Sequence, residues 1–134
     1  MDTDVFLAWL AAAAASIDAN RDHLTQLDAA IGDADHGTNL ARGFAAVTAA
    51  IEGAAPRPAT PGALLTLTGS TLISKVGGAS GPLYGVAFRR AGKALGAATT
   101  VDLPRLEQAA HLQSNHGASD RRATDTELLG QIAL

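Results

Sequence analysis

The sequence predicts an all-α fold, an antiparallel up-and-down helical bundle. Three observations point there. The chain is 47% apolar but only 4% aromatic, and much of the apolar content is alanine, which favours closely packed helices. Apolar residues recur at three-, four- and seven-residue steps, the spacing of one helix face. Glycine and proline breaks divide the chain, and no run reads convincingly as a strand. At 134 residues there is material for one domain with a modest core.

Phe6, Leu10, Ala13, Ile17, Leu24, Leu27 and Ile31 predict one long amphipathic helix, roughly Asp4 to Ala30. Gly32 to Gly37 breaks it. A second helix should start near Thr38 and bury Leu40, Phe44, Val47 and Ile51. Gly53 to Pro61 holds three prolines and reads as a loop. Thr60-Pro61 supplies an N-cap and a proline at the first helical position. The helix it opens should turn Leu65, Leu72 and Val76 inward. Gly77 to Gly81 is the next break, and Pro82 can open a helix with Leu83, Ala87, Ala91 and Ala94 inward. Leu64 to Ile73 is the most β-like run, yet it fits a helix equally well. Asp102-Leu103-Pro104 repeats the cap-and-proline pattern before a short helix around Leu106 and Ala110. Gln113 to Thr126 contains no apolar residue larger than alanine, and Glu127 to Leu134 could add one weak terminal turn.

Composition excludes several functions. A net charge of −3 leaves no electrostatic footprint for nucleic acid. The absence of cysteine removes disulfide frameworks and thiolate metal sites. The apolar run Val5 to Ala15 is too short to span a bilayer, and acidic residues precede it where a signal peptide needs positive charge. The expectation is a cytoplasmic protein with no membrane association.

The densest chemistry lies at Asp28 to Asn39. Asp28, Asp33 and Asp35 crowd three carboxylates beside His36, Gly32 and Gly37. Two unit charges about 4 Å apart repel by roughly 4 kcal/mol at an effective dielectric near 20. A bound hard cation would offset that repulsion, and Mg²⁺ is the leading candidate where phosphates complete the shell. The competing reading is that Asp28 and Asp33 cap helices while Asp35 is solvated. Gly32 and Gly37 are expected to permit unusual backbone angles. An EF-hand does not fit: counted from Asp33, its glycine position holds Thr38 and its glutamate position holds Phe44. The second helix begins beside the carboxylates, so its free N–H groups and the side chains of Thr38 and Asn39 could receive phosphate.

Gly77-Gly78-Ala79-Ser80-Gly81-Pro82 also runs into a helix. Small residues there would let a ligand approach the backbone, or would simply make a tight helix–helix turn. It is not a Walker A loop, because Gly92-Lys93 is followed by Ala94 and lacks the upstream glycine.

Together the two loops resemble a known family. Leu27-Asp28 through Gly32-Asp33-Ala34-Asp35-His36-Gly37, Asn39 and Arg42-Gly43-Phe44 look like one signature of the nucleotide-binding subunit of dihydroxyacetone kinase. Val76 through Gly85 looks like the second. The resemblance spans about Asp4 to Ala110. It implies that family's helical barrel, with ADP or ATP at one end. It further implies two Mg²⁺ ions held by Asp28, Asp33 and Asp35. His36, Gly37, Thr38 and Asn39 would line the nucleotide site, facing Gly78, Ala79 and Ser80. No catalytic side chain is implied. The activity implied is phosphotransfer: the bound nucleotide would relay a phosphoryl group to dihydroxyacetone on a partner kinase subunit. The donor, a phosphotransferase-system carrier subunit or free ATP, stays open, as does a homodimer. His36 and the Ser80-to-Tyr84 run favour this branch over the related fatty-acid kinase domain, which carries threonine at the position of His36.

The resemblance implies further helices after Ala110, and His111 to Leu134 does not match them. The expected division is a partial nucleotide-binding domain at 1–110 and a polar, family-unlike tail at 111–134. On that reading the chain is truncated at its C-terminus and the bundle is incomplete, with exposed apolar faces. A degenerate fragment without activity, or a metal-binding helical module, are the alternatives.

Overall fold

A computed structural model describes residues 1–30, 32–78 and 80–111. The described residues form helices α1 (Thr3–Ala19), α2 (Arg21–Ala29), α3 (His36–Glu52), α4 (Pro61–Lys75), α5 (Ser80–Leu95) and α6 (Leu103–His111), with no strand among them. No helix of the described residues is long and apolar enough to cross a membrane. Ile31, Ala79, the polar stretch from Gln113 and the terminal turn expected at Glu127 to Leu134 lie outside the described residues.

The stripes expected on α1 and α3 are the core. Phe6, Leu10, Ala13 and Ile17 are buried against Leu40, Phe44, Val47 and Ile51. Leu64, Leu65 and Leu72 of α4, Val76, and Phe88 and Leu95 of α5 complete it. Phe44 and Phe88 meet edge to face with ring centroids 6.3 Å apart, an arrangement that aromatic quadrupoles favour. Thr60 accepts a hydrogen bond from Ala63 N at 3.2 Å, and Pro61 follows it as the first helical residue. Asp102 likewise accepts from Arg105 N at 2.9 Å to start α6.

The single long helix expected over Asp4 to Ala30 is two helices. Asn20 adopts φ −104° and ψ 10°, and both its N–H and its Nδ2 donate to the Ser16 carbonyl. A short polar side chain that competes for backbone acceptors in this way stops a helix. Leu24 N then donates to Asn20 O at 2.9 Å and α2 begins afresh. After the break the stripe thins: Leu24 is half-buried against the core, no α2 residue is fully buried, and Leu27 is 58% exposed. α3 starts at His36, two residues earlier than expected.

The inward face of α5 also differs. Leu83 is 52% exposed and Ala94 is exposed, while Gly81, Gly85, Phe88, Gly92 and Leu95 are buried. Glycines turn inward because α4 and α5 pack backbone to backbone. A Cβ on Gly69 would overlap the Gly85 carbonyl, and one on Gly92 would overlap the Gly62 carbonyl. The pairing of Gly62 with Gly92 and Gly96, and of Gly69 with Gly85, runs the two helices antiparallel. Exposed apolar side chains occur on several helices, Val5, Leu27, Ile73, Leu83, Val86 and Leu103 among them.

Chain direction sorts the loops to two ends. At one end Val101 N donates to Met1 O at 2.8 Å and Thr3 reaches the Ala59 carbonyl. The α2–α3 turn and the α4–α5 loop meet at the other end, where His36 contacts Ser80.

Candidate cation and phosphate site

Asp28 lies in the last turn of α2, and Asp33 and Asp35 lie in the turn before α3. One carboxylate oxygen from each falls within 4.8 Å of the others. The convergence expected from the sequence is therefore present. Asp28 also does what the competing reading required. Its Oδ2 accepts from Asp35 N at 3.1 Å and His36 N at 3.4 Å, so it caps α3 from the neighbouring helix. Asp35, at the N-cap position, makes no side-chain cap bond.

The glycines act through space rather than through backbone angle. Neither Gly32 nor Gly37 has positive φ; the left-handed residue of the turn is Ala34, at φ 61°. A Cβ on Gly32 would overlap the Asp28 carboxylate. One on Gly37 would overlap the Arg21 carbonyl and lie 2.6 Å from Thr25 Oγ1. Gly37 thus seats α3 against α2 and so fixes where Asp28 stands. An L-residue held left-handed is strained by about 1–2 kcal/mol. Ala34→Gly should therefore stabilise the fold by about 0.5–1 kcal/mol after the entropy that glycine adds to the unfolded chain. Chemical denaturation checks this, and a destabilised variant would contradict it.

Charge crowding shows in protonation. The hydrogen bond that a protonated Asp33 donates to the Asp35 carboxylate, together with that carboxylate's negative charge, holds Asp33 above the ordinary value of 3.8, with a smaller push from Asp28. A carboxyl whose folded value is raised binds its proton more tightly in the folded state. Its contribution to stability is present at low pH and is lost as pH rises from 3.8 through the raised value. Carbon-13 carboxyl titration of the cation-free protein should place Asp33 above 3.8, and Asp35→Asn should bring it back towards that value. An unmoved Asp33 in that variant would contradict the assignment.

The second loop faces the first. His36, the first residue of α3, lies with Nδ1 3.0 Å from Ser80 Oγ at the start of α5. Ser80 is buried, Thr38 is exposed on the first turn of α3, and Asn39 is buried one residue further on. Gly78 has φ 66°, a left-handed turn position that suits glycine. Ala79 lies outside the described residues. Arg42 is the residue to which the sequence reading gave no role. Its Nη2 donates to Asn39 Oδ1 at 2.7 Å and stands 3.8 Å from where a Cβ on Gly77 would lie. Its three-residue spacing from Asn39 was the available signal.

Three hard oxygen donors, an adjacent helix N-terminus and a small-residue loop suit a hard cation beside an anion. A groove of about 960 Å³ runs along α4 and α5, lined by Leu67, Val86, Arg89, Arg90 and Lys93 among others, and shares no residue with either loop. Fold and site together define an all-helical domain with a preformed carboxylate cluster and a glycine loop at one end.

A family model described as the DAK2 domain matches residues 30–126, and the chain belongs to that family. It is 43% identical over 98 residues to the ADP-binding subunit DhaL of a PEP-dependent dihydroxyacetone kinase from Listeria innocua, covering 73% of this chain and 48% of that protein. It is also 43% identical over 100 residues to the Escherichia coli ADP-binding subunit DhaL, covering 75% of this chain and 47% of the relative. Human triokinase/FMN cyclase is 39% identical over 80 residues, 60% of this chain and 14% of that protein. The chain spans about half the length of the bacterial relatives it matches.

Proposed function

We propose that residues 1–110 form the nucleotide end of a dihydroxyacetone kinase-type phosphotransferase, binding ADP or ATP with Mg²⁺. The observation that carries this reading is the convergence of Asp28, Asp33 and Asp35 within 4.8 Å beside the N-terminus of α3. The bacterial relatives, ADP-binding subunits of dihydroxyacetone kinases, support it.

The donor set fits the metal. Carboxylate oxygens are the ligands a hard divalent cation prefers, and the raised proton affinity of Asp33 reports negative charge in want of a counter-charge. Asp28, Asp33 and Asp35 would hold two Mg²⁺ ions. Bound there, Mg²⁺ supplies charge neutralisation for the phosphoryl groups.

The remaining work falls to the chain. The first N–H groups of α3, at Gly37 and Thr38, have no partner within the helix and are oriented to receive phosphate oxygens. The Thr38 hydroxyl and the Asn39 amide add donors. Gly78 and Ser80 cover the opposite side, where absent or small side chains let a phosphate lie against the backbone. His36, bonded to Ser80, ties the two walls together. No side chain of the site is assigned as base or nucleophile. Phosphoryl transfer relies mainly on positioning and charge stabilisation, which this set supplies. In this reading the nucleotide held by these residues would supply the phosphoryl group for dihydroxyacetone on a partner subunit in the cytoplasm. The phosphotransferase naming of a Lactococcus lactis relative supports a carrier subunit as donor.

Calorimetric titration with ADP, with and without Mg²⁺, tests the reading. Mg²⁺-dependent binding is expected. A folded sample that binds no ADP with Mg²⁺ present would overturn it.

A further inference from the structure

Arg42 has one fixed contact, on α3, and one close neighbour, on the α4–α5 loop. On α3 its Nη2 donates to Asn39 Oδ1 at 2.7 Å, and Asn39 is only 6% exposed. Towards the α4–α5 loop the same nitrogen stands 3.8 Å from the Cβ position of Gly77. The next residue, Gly78, carries the left-handed angle of that turn.

The chemistry of the pair decides an orientation. A guanidinium has donors and no acceptor. The Asn39 amide can meet Arg42 only through its oxygen, which leaves the NH₂ group as a donor on the other branch. A primary amide unconstrained in this way could present either end to a ligand. For phosphate only the NH₂ end is productive, because phosphate oxygens accept. The Arg42 side chain lies between Asn39 of α3 and the glycine turn.

We propose that Arg42 is a positioning residue of the nucleotide site. It locks the Asn39 amide with its NH₂ group towards the phosphates and braces the Gly77–Gly78 turn against them. This inference rests on the nucleotide reading above.

A double-mutant cycle tests it: wild type, Arg42→Gln, Asn39→Ala and the pair, titrated with ADP in Mg²⁺. Each single variant should weaken ADP about tenfold, and the double variant should be no weaker than the worse single. Mn²⁺ binding without nucleotide should be unchanged in Arg42→Gln, a result that general damage to the site would not give. Should Arg42→Gln fail to fold, Arg42→Lys completes the same cycle and is read the same way, since lysine lacks the planar fork that reaches both Asn39 and the glycine turn. Wild-type ADP affinity in the Arg42 variant, or effects that add in full, would overturn the positioning role alone. A wild-type protein that binds no ADP would remove the nucleotide reading and this inference together.

Discussion

Replacing Asp33 and Asp35 together by asparagine is expected to abolish Mg²⁺-dependent ADP binding while leaving the cation-free protein at least as stable as wild type. The two effects have opposite signs because one feature produces both. Without a cation the carboxylates repel, and the raised proton affinity of Asp33 registers that repulsion. Asparagine keeps the shape and removes the charge, so the repulsion goes. With a cation the same charges are the attraction. Losing two of three anionic ligands should weaken cation-dependent ADP binding by about 100-fold or more, on the order of 3 kcal/mol. Asp28→Asn belongs to a different class. Asp28 also accepts the N–H groups of Asp35 and His36, so its loss weakens the start of α3 as well as the cation site. Calorimetry and thermal unfolding on the same samples separate the two effects. A double variant that bound ADP and Mg²⁺ as wild type does would remove the acidic turn from the site.

The second large effect is on stability. Gly69→Ala should destabilise the fold by about 2–3 kcal/mol, although alanine is the better helix former. Intrinsic preference alone favours alanine in a helix by about 1 kcal/mol. Space decides otherwise. The new Cβ would overlap the Gly85 carbonyl and lie 2.7 Å from Arg89 N, and neither is the end of a flexible side chain. Relief requires α4 and α5 to separate, and overpacking of this kind commonly costs about 1–3 kcal/mol before the lost packing of Leu72 and Phe88 is counted. Separation would also move Ser80, at the head of α5, away from His36. Gly53→Ala is the control. Its nearest obstacle is the Ala49 carbonyl at 3.2 Å and Gly53 follows α3 rather than lying between helices, so a small change is expected. Equal unfolding midpoints for Gly69→Ala and wild type would contradict backbone packing of α4 on α5.

Some of this was legible in the sequence. The stripes of α1 and α3 were readable because large apolar residues fall at helical spacing, and burial follows that pattern. The starts of α4 and α6 were readable because Thr60-Pro61 and Asp102-Leu103-Pro104 satisfy a helix end locally. The acidic turn was readable because three carboxylates at short spacing are costly without a purpose. The face of α5 was not readable, since glycine carries no hydropathy and the packing it permits depends on a facing glycine in α4. The break at Asn20 was hidden inside a periodic pattern, because one asparagine can either ride on a helix or end it. Ala34 gave no sign of its left-handed angle, which only the surrounding turn imposes. Arg42 was visible as a residue but not as a contact, since its meaning lies in where the guanidinium reaches.

The most direct measurement is the affinity of Mn²⁺ for the protein, by electron paramagnetic resonance, with and without ADP. Cation and nucleotide that share one site must strengthen each other by the same factor. ADP should therefore tighten Mn²⁺ by the factor by which Mn²⁺ tightens ADP, and Asp33→Asn with Asp35→Asn should erase both effects. A cation that bound with one affinity whether ADP was present or absent would leave a metal-binding helical module and contradict the nucleotide site.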